Sequence, residues 1–314
     1  MSGGAGTRSL AAPAPDLDRL PELVRSIRRV PTQVRRFTVS PRTARARHRI
    51  GEELADLLVA EGLPCVGSGA DRLFDDYDLG NIALHLGLLS VRRMTMRAWA
   101  AGLRRNSAAG ASRLRVQVVT RCPVPGHDGP CSFGLLRPGG GREVVRVARE
   151  SAPIASYEVR LPGEWPELDG AARCLVDELA DVDFFLLPEA IRWDADFLLR
   201  TRMADCGGFA RRLVDEGRRR GIPVRFAFGL LVVKPYSTPH CWAEFRIGDT
   251  WVPQDPLLLK AMRSWAGLDA AEWPAHRSPG AVLHRLCGRF TKLVSHRGVW
   301  TSTSLPTDYL DEVP

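Results

Sequence analysis

Lysine is nearly absent from this chain of 314 residues: Lys234, Lys260 and Lys292 are the only three, and arginine supplies the rest of the positive charge. So uniform a bias is first a property of the coding sequence, and an arginine as such carries little functional message. No apolar run approaches the roughly 18 residues a membrane span needs, and the first thirty residues lack the apolar centre of a secretion signal, so the expected address is the cytoplasm, with no membrane partner. The seven cysteines are odd in number and unevenly spaced, which excludes a secreted disulfide framework and predicts reduced thiols. No glycine-rich phosphate motif is present, so no nucleotide is implied. What remains is an ordinary core-forming composition, 45% hydrophobic, 25% charged and 7% aromatic, which excludes a disordered or collagenous chain.

The formal charge is +8, but nine arginines lie between Arg25 and Arg49 with no acidic residue among them, so the remainder of the chain is close to neutral. Residues 1–22 are rich in Gly, Ala, Pro and Ser with little to bury. Together these features predict a flexible, Arg-rich arm over residues 1–50. Such an arm suits an acidic partner such as a carrier protein, whose approach it would steer, with nucleic acid the other candidate and a merely solvated arm the alternative.

Residues 51–165 read as a helical and antiparallel β accessory region. Residues 51–61 have helical spacing. Ser90 is placed to cap a second helix in which Val91, Met94, Thr95, Ala98, Trp99 and Leu103 would share one face, with Arg92, Arg93, Arg97 and Arg104 solvated opposite. Alternating runs at 114–118, 133–136, 144–147 and 157–161, separated by Gly and Pro turns, predict a β-meander. Asp75, Asp76 and Asp78 before Gly80 faintly resemble a calcium loop without its closing glutamate, and read as a solvated turn.

Residues 166–314 hold the chemistry. Helices are expected at 171–179 and 194–202. Asp205 then precedes Cys206, Gly207, Gly208 and Phe209, where Phe209, Ala210, Leu213 and Val214 share a helical face that runs out in Arg218, Arg219, Arg220 and Gly221. Cys206 therefore sits in a first helical turn, where unpaired amides and the dipole favour thiolate over thiol. The chain continues into an alternating strand from Val224 to Val232, a second carrying His240, and a third leading to Asp255. A helix followed by adjacent antiparallel strands can set a histidine beside a cysteine at the helix mouth, with an aspartate on the far imidazole nitrogen.

The segment Ala204–Pro256 resembles the core of the transglutaminase-like superfamily of cysteine enzymes. The resemblance rests on Cys206 opening a helix, the Gly221-Ile222-Pro223-Val224-Arg225 turn, His240 and Trp242 on one strand, and Trp251 leading to Asp255-Pro256. Ala204 and Cys241 depart from residues frequent in that family. The resemblance implies an α+β, papain-like fold with the nucleophile helix packed on an antiparallel sheet. It implies Cys206 as nucleophile, His240 as general acid and base, and Asp255 as orienting carboxylate, with no cofactor or metal. The backbone amide of Cys206 is one expected oxyanion donor, and Trp165 and Trp193 are candidates for another.

The implied reaction forms an acyl-thioester on Cys206 from a peptide, protein or carrier-bound thioester and passes the acyl group to an amine. Hydrolysis by a cysteine peptidase or amidase uses the same triad, and a non-catalytic interaction protein is the alternative from another class. Cys122, His127 and Cys131 could supply three zinc ligands with Cys174 as a fourth, but they lack Cys-x2-Cys knuckles and their Pro and Gly neighbours suit a plain hairpin loop. Cys241 is expected to pack on the strand face opposite His240, and His276, His284 and His296 to be structural.

Overall fold

A computed structural model describes residues 16–124, 127–148, 153–168 and 170–310. The expected tail over residues 1–15 lies outside the described residues. Two units emerge, residues 1–95 and 96–314. Among the described residues no helix is long and apolar enough to cross a membrane.

In the first unit α1 (Leu20–Arg28) buries Leu20, Leu23, Val24 and Ile27, one stripe at helical spacing, while Arg25, Arg28 and Arg29 face solvent. The floppy arm expected here is thus corrected from residue 16 onward. Arg35 is itself buried: its Nε donates to Asp78 Oδ2 at 2.7 Å, and its terminal nitrogens donate to the Val30 and Ile27 carbonyls at 2.6 and 2.8 Å. A charge so placed persists only because each guanidinium nitrogen meets an acceptor. The other eight arginines between Arg25 and Arg49 stay exposed, so the basic character survives as a folded surface.

Strand β1 (Phe37–Val39) pairs antiparallel with β2 (Phe74–Asp75), and the turn α2 (Pro41–Thr43) and helix α3 (Glu52–Ala60) lie between them in sequence. The acidic segment is no solvated turn. Asp75 accepts from the amides of Tyr77 and Asp78 at 2.9 and 3.1 Å and so caps α4 (Asp76–His85). Ser90 does cap α5 (Val91–Ala108), accepting from the Arg93 amide at 3.3 Å, but the buried stripe is Met96, Ala100, Leu103 and Asn106. Val91 and Met94, expected inside, are 61% and 58% exposed.

The second unit is mixed α+β with antiparallel sheets. The strands expected as a meander are β3 (Ala111–Thr120), β4 (Cys131–Leu136), β5 (Arg142–Val147) and β6 (Ala155–Pro162), yet β3 pairs with β6 and only β4 and β5 form a hairpin. Helix α6 (Gly170–Glu178), the two-residue strand β7 (Asp183–Phe184), the short α7 (Glu189–Arg192), α8 (Ala195–Thr201) and β8 (Met203–Ala204) lead to α9 (Cys206–Arg219). Then β9 (Val224–Leu231), β10 (Thr238–Ile247), β11 (Thr250–Gln254), α10 (Pro256–Ala266) and β12 (Leu283–Cys287) follow, and the four strands order as β11-β10-β9-β12. Next, β13 (Val294–His296) joins β4, β14 (Val299–Trp300) joins β13, and β15 (Thr303–Ser304) and β16 (Thr307–Tyr309) pair with β3.

A boundary at residue 165 would cut through a core. Leu114, Val116, Val118, Phe133 and Leu135 pack in one cluster with Phe228, Leu230, Val232 and Cys241. The β strands before residue 165 and the sheet that carries His240 therefore hold one another up. Further along the same face of the sheet, Phe209, Leu213 and Val214 of α9 pack with Val224, Ala243 and Phe245. Burying side chains of this size contributes about 1.5 to 3 kcal/mol each, which fixes the nucleophile helix against β9 and β10.

Candidate active site

Helix α9 begins where Asp205 turns its carboxylate back onto the Gly207 and Gly208 amides, both at 3.1 Å from Oδ1. The cap satisfies two first-turn donors and leaves the Cys206 amide outside it. The other carboxylate oxygen lies 2.6 Å from Arg192 Nε, off the hydrogen-bond direction, so this is an ion pair. Close packing needs the two glycines: a Cβ on Gly208 would fall 2.3 Å from the Arg192 carbonyl, and one on Gly207 would fall 2.8 Å from Trp193 Cη2. The helix mouth is thereby drawn against Arg192 and Trp193 with Cys206 at its tip, half-buried.

His240 lies on β10 opposite Gly229 of β9, and its Nε2 meets Asp255 Oδ2 at 2.6 Å. Both residues are buried. Asp255 has a second duty, since its Oδ1 accepts from the Leu258 amide at 2.9 Å and caps α10, with Pro256 at the first helical position where no amide is missed. With Nε2 held by the carboxylate, Nδ1 is the nitrogen left to face the Cys206 thiol, whose charge and hydrogen bonding bear on the ring. The structure thus brings Cys206, His240 and Asp255 together, the three residues singled out in the sequence.

Electrostatics follow from that contact. A hydrogen bond from the Cys241 side chain, with the His240 charge, holds the Cys206 thiol well below the ordinary thiol range against burial. Burial alone would lower His240, but the Cys206 thiolate and the Asp255 hydrogen bond push it up to about 10. Both directions favour a thiolate beside an imidazolium. Burial and the same thiolate push the Asp205 carboxyl up to about 7, against Arg192 and the two amides. The hydrogen bond to Cys206 also raises Cys241 well above the ordinary range, so Cys241 keeps its proton and remains a donor.

Cys241 packs in the core cluster against which Cys206 lies, as expected, and its thiol also bears on the charge of Cys206. Strand alternation assigned its side chain to the opposite face, and only the position of the α9 tip against β10 could reveal the contact. Arg192 was also missed, although a buried capping aspartate is a signal that a cation must lie nearby. Trp193 turns the carbon edge of its benzo ring toward Gly207, and its ring packs on Phe290 with centroids 5.3 Å apart. It serves as a wall there. Trp165 lies against Gly280, and its Nε1 has no partner among the described residues. Other motif residues brace the sheet: Arg225 pairs with Glu244 at 2.6 Å across β9 and β10 and lies 4.2 Å over the Trp251 ring, while Trp242 Nε1 donates to Glu244 at 3.3 Å.

No curated protein matches the sequence. Among solved structures, a Cytophaga hutchinsonii protein provisionally assigned as a cysteine protease is 14% identical, with 65% of this chain and 92% of that chain covered at a TM-score of 0.32. Residues 172–256 match the transglutaminase-like superfamily. The matched span runs from the α6 helix to the Asp255 cap of α10, and this chain accordingly carries a transglutaminase-like superfamily domain.

Proposed function

We propose that the protein is a thiol acyltransferase, with Cys206 as nucleophile, His240 as proton carrier and Asp255 as orienting carboxylate. The observation that carries this reading is the buried 2.6 Å His240–Asp255 contact beside a half-buried cysteine at a helix start. The Cys206 thiolate attacks the acyl carbonyl, the His240 imidazolium gives its proton to the leaving group, and an acyl-thioester remains. An amine then attacks the thioester, His240 takes the amine proton, and the amide leaves as the thiolate is restored. The Cys206 amide, outside the Asp205 cap, is suited to the developing oxyanion.

Transfer to an amine is favoured over hydrolysis by the apolar setting: Trp193, Phe226 and Phe290 pack against the same cluster as Cys206 and limit water there. A cleft of about 450 Å³ walled by Trp193, Phe226 and Phe290 presents Arg218 and Arg289 beside the Arg211–Asp215 ion pair, and this net positive lining supports an anionic donor, such as an acyl group on an acidic carrier. The exposed arginines of residues 25–49 would add steering. Replacing Arg25, Arg42 and Arg45 together with Gln should then slow donor loading more at low salt than at high salt, and a salt-independent effect would remove that role.

The deciding experiment incubates the protein with acyl thioesters and amines and follows intact mass and products. An acyl adduct on Cys206, lost in Cys206→Ser and discharged as amide, is expected. Discharge to free acid with every amine, together with cleavage of ordinary peptides, would make the protein a hydrolase. No adduct with thioester or peptide would favour an interaction module.

A further inference from the structure

A second set of cysteines and histidines converges away from α9, at one end of the sheet that holds β4 and β13. Cys122 follows β3, His127 precedes β4, Cys131 opens β4, and His296 closes β13, which pairs with β4 so that His296 lies opposite Phe133. The Cys122 Sγ lies 3.1 Å from His127 Nε2 and 3.8 Å from His296 Nε2, and the Cys131 Sγ lies 3.3 Å from His127 Nε2. All four donor atoms fall within 4.8 Å of one another. Cys131 and His296 are buried, Cys122 and His127 partly so. Cys174, the fourth ligand considered from sequence, is exposed on α6, and its place is taken by His296.

We propose that Cys122, His127, Cys131 and His296 hold one Zn²⁺ as a closed structural site. Size is the first argument. A tetrahedron with Zn–S near 2.3 Å and Zn–N near 2.0 Å has ligand-to-ligand edges of roughly 3.3 to 3.8 Å, close to the separations seen here. Orientation is the second: His127 Nδ1 donates to the Asp128 carbonyl at 3.1 Å and His296 Nδ1 to the Ser132 carbonyl at 3.0 Å. Both rings are thereby fixed as the tautomer whose Nε2 lone pair points at the cluster, as metal-bound imidazoles require.

Hydrogen bonding alone serves these atoms poorly. The single Cys122 proton is directed at the Val124 carbonyl at 3.2 Å, yet the same sulfur faces both Nε2 lone pairs, and one proton cannot serve three acceptors. A cation resolves the conflict. Zn²⁺ displaces the thiol protons of Cys122 and Cys131 to solvent and takes two thiolates and two imidazole lone pairs, so two negative charges balance the ion in a largely buried place. Two thiolates with two imidazoles in tetrahedral array select zinc over the hard oxygen-seeking cations. Four protein ligands leave no open position, so the ion ties the β3 exit and the β4 start to β13, which is only three residues long.

The test uses the full chain without an affinity tag, produced with zinc and purified under reducing conditions. Elemental analysis should give about one zinc per chain, unchanged in Cys174→Ser and reduced at least about tenfold in Cys131→Ser and His296→Ala. Because those variants could fail to fold, the wild-type protein is also exchanged with Co²⁺, whose spectrum should show tetrahedral geometry and thiolate charge transfer. Alkylation of Cys122 and Cys131 should be slow in zinc-loaded protein and fast after chelation. The proposal is overturned by zinc-free protein that takes up no saturating Zn²⁺, by an octahedral cobalt spectrum without thiolate bands, or by equal alkylation with and without zinc.

Discussion

The second unit builds two cysteine and histidine sites from the same side chains, and they differ in what holds the far imidazole nitrogen. At His240 it is the Asp255 carboxylate, at 2.6 Å; at His127 and His296 it is a backbone carbonyl, at 3.1 and 3.0 Å. A carboxylate stabilises the imidazolium, and an imidazolium stabilises a neighbouring thiolate, so that site gains a nucleophile and an acid. A carbonyl only fixes the tautomer. It turns Nε2 of each ring toward the thiols, which is the orientation a metal ligand needs. Access follows the same division: Cys206 stands half-buried at a helix tip, whereas the other set turns its donor atoms inward on one another.

The largest expected effect comes from removing the charge that separates the two cases. Asp255→Asn keeps a side-chain oxygen able to cap α10 but cannot sustain the imidazolium, so turnover should fall about 10³- to 10⁴-fold while melting temperature changes little. Steady-state or adduct-forming rates with a thioester, beside a thermal melt, measure this. A folded variant with near-normal turnover would remove Asp255 from the reaction.

The pH profile gives the next effect. Thiolate and imidazolium coexist between the depressed value of Cys206 and the value of about 10 for His240. Turnover should be flat through neutrality, fall in acid as Cys206 protonates, and fall above about 10 as His240 loses the proton it must give. Alkylation of Cys206 should share only the acid limb. The stability sign agrees: a histidine raised from 6.5 to about 10 contributes stability that is full below 6.5 and is lost as pH rises through about 10. An alkylation midpoint near that of a free thiol would break the ion-pair description.

The first of these sites was largely legible in the sequence and the second was not, for a physical reason. A cap, a helical stripe and strand alternation are local, so α9, β9, β10 and β11, and with them Cys206, His240 and Asp255, follow from spacing and a family resemblance over Ala204–Pro256. The fourth zinc donor, His296, lies 174 positions after Cys122 and is brought back by the pairing of β13 with β4. Spacing within the loop could not show it. The same limit hid the pairing of β3 with β6, and the burial of Arg35, whose partner Asp78 is 43 positions away. In the basic segment the nine arginines masked a helical stripe that begins at Leu20, inside what reads as a tail.

A smaller effect tests Cys241, the thiol that takes part in the first site without being consumed. Its hydrogen bond helps hold Cys206 below the ordinary range. Cys241→Ala should move the midpoint of Cys206 alkylation upward and slow labelling several-fold at acidic pH, with less change at neutral pH where His240 still keeps the thiolate. An unchanged midpoint in a folded variant would return Cys241 to a packing role.

The smallest effect is the one that asks whether the two sites are independent. A closed four-ligand zinc has no position for substrate or water, so the acyl step has no use for the ion, and Cys206, His240 and Asp255 already supply nucleophile, proton carrier and orienter. Chelator-treated protein that retains its circular dichroism should label at Cys206 within about twofold of the zinc-loaded rate and turn over thioester as fast, while its melting temperature falls. The two readings are taken on the same sample, so loss of fold and loss of chemistry are told apart. If the folded, metal-free protein lost Cys206 reactivity and recovered it with Zn²⁺ alone, the shared core that joins Phe133 and Leu135 of β4 to Cys241 of β10 would be the route by which one site sets the other.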